Sequence, residues 1–98
     1  MVTVNVKSAT GDVATVKELL IEGLKEERKR IEFALERTNS LIKTYEEKYG
    51  IPTTAFIEKF RKGEIEENDE TFDWWAETKL ANVLQEKINT IEDIEICQ

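Results

Sequence analysis

From Val16 to Tyr49 a stripe of mainly apolar side chains recurs at steps of four and three: Val16, Leu20, Leu24, Ile31, Leu35, Thr38, Ile42, Tyr45 and Tyr49. It is broken at Glu27 and softened at Thr38. This is the period of one face of an α-helix, sustained far beyond an average helix length. A 98-residue chain with such an element has to lay something against it.

The ends of the stripe carry stop signals. Thr15 and Glu18 stand at capping-box spacing, and Asp12 offers an equally good earlier cap, so the helix is expected over 12–49. Tyr49-Gly50-Ile51-Pro52 then reads as a terminator, with Gly for the left-handed position, Ile to fold back and Pro to block continuation. A corner helix is expected over 54–62, capped by Thr53 or Thr54, with Phe56, Ile57 and Phe60 on one face and Gly63 ending it. Asn68 or Asp69 can cap a third helix over 69–92, whose stripe is read as Phe72, Trp75 or Ala76, Leu80, Val83 or Leu84, Lys87, Ile88 and Ile91. Adjacent Trp74 and Trp75 point about 100° apart on a helix, so only one can face the interior squarely.

Before the first helix, Val2, Val4 and Val6 alternate with Thr3, Asn5 and Lys7, which reads as a strand over 1–7. Its pairing partner is either residues 94–97 or the same strand of another copy. The expected fold is one mainly α domain over 1–98. A long helix, a short corner helix and a third helix form an antiparallel helical hairpin, with a short N-terminal β-strand.

The two long helices are unequal. About 35 residues span roughly 52 Å and about 23 span roughly 35 Å, so the third helix should reach back only to about Glu27. Val13, Val16, Leu19, Leu20, Ile21 and Leu24 are then left with little cover. Burial of such a side chain is worth roughly 1.5–3 kcal/mol, so a second chain is expected on them. A homodimer or higher oligomer, with Val16, Leu20 and Leu24 at its interface, is the simplest arrangement.

Charge is divided along the chain. Residues 1–63 carry 12 Lys/Arg against 10 Asp/Glu, and residues 64–98 carry 2 against 11. Seven acids, Glu64, Glu66, Glu67, Asp69, Glu70, Asp73 and Glu77, run without an intervening base, a pattern that repels nucleic acid and attracts basic protein surfaces. The basic run at residues 25–30 alternates with acids and has no adjacent aromatic to stack a base, so it reads as a solvated face.

Several chemistries fall away. With no histidine, His-dependent triads, HExxH sites and most zinc sites are excluded. The four glycines at 11, 23, 50 and 63 form no phosphate loop. The single cysteine, Cys97, permits no intrachain disulfide, and no apolar run approaches a membrane span, so a cytoplasmic chain without membrane contact is expected. ExxE spacings at Glu64/Glu67, Glu67/Glu70 and Glu70/Asp73 lie in or beside one loop, and Glu22, Glu26, Glu32 and Glu36 are interleaved with bases that pair with them in the helix. No catalytic, cofactor or metal site is expected.

Lys48-Tyr49-Gly50, Thr53, Phe56, Phe60, Gly63-Glu64, Asp73 and Trp74 or Trp75 together resemble a pattern in a loosely defined group of small prokaryotic helical proteins. Some of these look like the antitoxin half of toxin and antitoxin pairs. The resemblance covers about residues 41–90, is structural in character, and implies a non-enzymatic interaction protein. The expected function is therefore an antitoxin-like protein-protein interaction module. It would dimerise through helix 1 and present Glu64, Glu66, Glu67, Asp69, Glu70, Asp73 and Trp74 to a basic partner. Two alternatives stand beside it. One resembles the ribbon-helix-helix regulators, with Thr3, Asn5 and Lys7 reading DNA. The other is a small carboxylate and Mg²⁺-dependent hydrolase.

Overall fold

The computed structural model describes residues 12–96. The expected strand over 1–7 and the DNA-reading positions Thr3, Asn5 and Lys7 lie outside the described residues. The described chain is mainly helical: α1 spans Val13–Tyr49, α2 spans Thr53–Arg61 and α3 spans Asp69–Ile96. Contacts between α1 and α3 make the hairpin, and the molecule is a rod of 62 × 24 × 22 Å.

Local chemistry sets the helix ends. Asp12, rather than Thr15, caps α1: its carboxylate accepts from the Thr15 backbone N–H at 3.2 Å and from the Thr15 hydroxyl at 2.6 Å. Gly50 takes φ 68°, and its N–H donates to the Glu46 carbonyl at 2.8 Å, which closes α1 where the Gly-Ile-Pro signal places the stop. Neither Thr53 nor Thr54 caps α2. Pro52 stands at the cap position, and a Glu46 carboxylate oxygen reaches across from α1 to accept the Thr53 N–H at 2.7 Å. Asn68 and Thr71 form a reciprocal box at the start of α3, each backbone N–H donating to the other's side chain at 2.9 Å.

The core has two parts. At the corner, Trp74 and Phe56 are fully buried and stacked, with ring centroids 3.8 Å apart, and Tyr45 and Tyr49 cover the indole at 5.8 and 5.5 Å. Farther along the rod, Ile31, Leu84, Ile88 and Ile91 form an aliphatic cluster flanked by Leu24, Ala34 and Leu35.

Two expectations are corrected here. α3 runs to Ile96, past the expected end at residue 92, so Ile94, Glu95 and Ile96 are helical and do not form a strand. The end of α3 stands about level with Glu27, since Arg28 of α1 pairs with Glu95 at 3.4 Å and Glu92 at 3.7 Å, and its apolar cover extends one turn further, to Leu24 on the aliphatic cluster. Finally, the expected α3 stripe splits into two. Of its residues, Leu84, Ile88 and Ile91 turn inward, joined by Trp74 from outside the expected stripe, while Trp75 is half-buried and Phe72, Ala76, Leu80, Val83 and Lys87 remain exposed. The aromatic pocket made by Tyr45, Tyr49 and Phe56 accepts Trp74, and a helix locked there cannot also turn Phe72 or Val83 toward α1.

Candidate interaction surfaces

Two surfaces stand out, one apolar and one acidic. The apolar surface begins where α1 outruns α3. Val13, Leu19 and Leu20 are 67%, 62% and 55% exposed, far more than an interior position would allow, whereas Val16, Ile21 and Leu24 are half-buried. Thus, of the three residues expected at a dimer interface, Leu20 is open, Val16 is partly covered, and Leu24 already serves the intrachain core.

Lys17, Leu19, Leu20, Ile21, Gly23, Leu24, Glu27 and Ile94 line a groove of about 730 Å³ at this end. Sharing Leu24 and Glu27, a second depression of about 490 Å³ continues along the same flank past Ile31, Val83, Lys87 and Ile91. The opposite flank is polar, formed by Arg28, Glu32, Glu36, Asn39, Gln85 and Glu92 around Leu35 and Ile88. The hairpin is therefore one-sided: one flank is finished against water and the other is not.

The outer stripe of α3 borders the unfinished flank. Phe72, Ala76, Leu80, Val83, Lys87, Thr90 and Ile94 recur at steps of four and three and are all exposed. A helix apolar on two faces normally has neighbours on both. Lys79 and Lys87, the two bases after residue 63, both lie on this outer side, and Lys79 Nζ sits 5.6 Å from the Trp75 ring centroid. The stripe is partly legible in the sequence, which reads it as core because both faces of α3 satisfy a helical period.

The acidic surface is smaller than the sequence suggests. Glu70 is bound at the hairpin corner: it forms an ion pair with Lys48 and accepts the Tyr49 phenol at 2.7 Å. Those hydrogen bonds, Lys48 first and then Tyr49, hold its carboxyl below its ordinary pKa. Tyr45 donates to Asp73, and this bond, followed by partial desolvation, pushes the phenol up to about 12. Both carboxylates fasten α3 to α1, so their first role is structural. Trp74 is fully buried and its indole N–H donates to Thr53 Oγ1 at 3.0 Å, so it is withdrawn from any contact surface. Trp75 takes the boundary position, half-buried against Phe60.

Glu64, Glu66, Glu67 and Asp69 remain exposed in and beside the α2–α3 connection, and none of them meets a Lys or Arg among the described residues. Among the described residues, no three acids converge into a cation cage. No described helix is long and apolar enough to cross a membrane. No protein-family model, curated protein or solved structure matches the chain.

Proposed function

We propose that this chain is a non-catalytic protein-protein interaction module that pairs with itself along α1 and offers an acidic loop to a basic partner. The open groove carries the reading: Leu19, Leu20 and Ile94 are left in water at the end of a hairpin whose other flank is polar. Burying side chains of this kind is worth roughly 1.5–3 kcal/mol each, enough in combination to hold two chains together. The exposed carboxylates of Glu64, Glu66, Glu67 and Asp69, which meet no Lys or Arg among the described residues, supply the second contact, to a basic surface that brings the cations. An antitoxin-like role, as the resemblance of the corner segment implies, is one form this activity takes, with the carboxylates occupying phosphate-binding positions on a toxin.

Charge reversal tests the acidic half. Replacing Glu66, Glu67 and Asp69 with Lys should weaken capture of a purified basic partner at low salt while leaving the helical content unchanged. Unaltered capture by the triple variant would count against the acidic contact.

A further inference from the structure

We draw no further inference here: the strongest candidate, the apolar groove on the unfinished flank of the hairpin, from Leu19 and Leu20 of α1 past Val83 of α3, is the face the proposed self-pairing already uses, and nothing in the structure shows which element covers it.

Discussion

Trp74 and Trp75 occupy adjacent positions with opposite fates. Trp74 is enclosed by Phe56, Tyr45 and Tyr49 and satisfied through Thr53, whereas Trp75 is half-buried beside Phe60. W74A should therefore destabilise the protein by about 3–5 kcal/mol in urea unfolding, a large part of a small domain's total. W75A should cost about 1 kcal/mol, because its site is open enough to be refilled by water and by Lys79. Glu70 and Tyr45 give the corner a pH dependence with two limbs. The folded pKa of Glu70 lies below its ordinary value, so its contribution is present at neutral pH and lost as pH falls through the folded pKa. The Tyr45 phenol is raised, so its contribution is complete below the unfolded value near 10 and disappears as pH rises toward about 12. Thermal melts against pH should show both losses, with E70Q flattening the acid limb and Y45F the alkaline one.

Each helix is ended by a device that works at the scale of an element. Gly50 at φ 68° lets the chain leave α1 while its N–H still serves the Glu46 carbonyl. No atom would obstruct an added Cβ there, so the cost of G50A is conformational: about 1–2 kcal/mol, read as a fall in the urea midpoint with helical content intact. Glu46 then performs a second task by accepting the Thr53 N–H, which makes the last turn of α1 the cap of α2. E46A should lower stability by about 1 kcal/mol and raise amide exchange at Thr53 before the rest of the hairpin. The stop at Gly50 was readable because Gly, Ile and Pro act within four residues of one another. The cap by Glu46 was not, because it depends on how two helices meet, and Thr53 and Thr54 offered a plausible local solution.

At the scale of the molecule, one flank is polar and the other is an apolar trough from Leu20 to Val83. If two copies share that trough, folding and association are linked, and the midpoint of thermal unfolding should rise with protein concentration. V83D would put a carboxylate on the wall of that trough, and it should weaken the concentration dependence with little effect on a dilute monomer, since Val83 is 47% exposed in one copy. Periodicity and stop signals by themselves determined the order of the three helices, the long first helix and the Gly50 corner, since each is written in residues within a turn or two of one another. The capping chemistry named Asn68 and Asp12 among its choices for the same reason. Only the tertiary structure decided which face of α3 is core, which tryptophan is sealed, and that Glu70 and Asp73 are fasteners. Those outcomes turn on shape. A helix that carries apolar residues around much of its circumference has more than one face able to pack, and the face that wins is the one whose Trp74 fits the pocket that α1 and α2 provide.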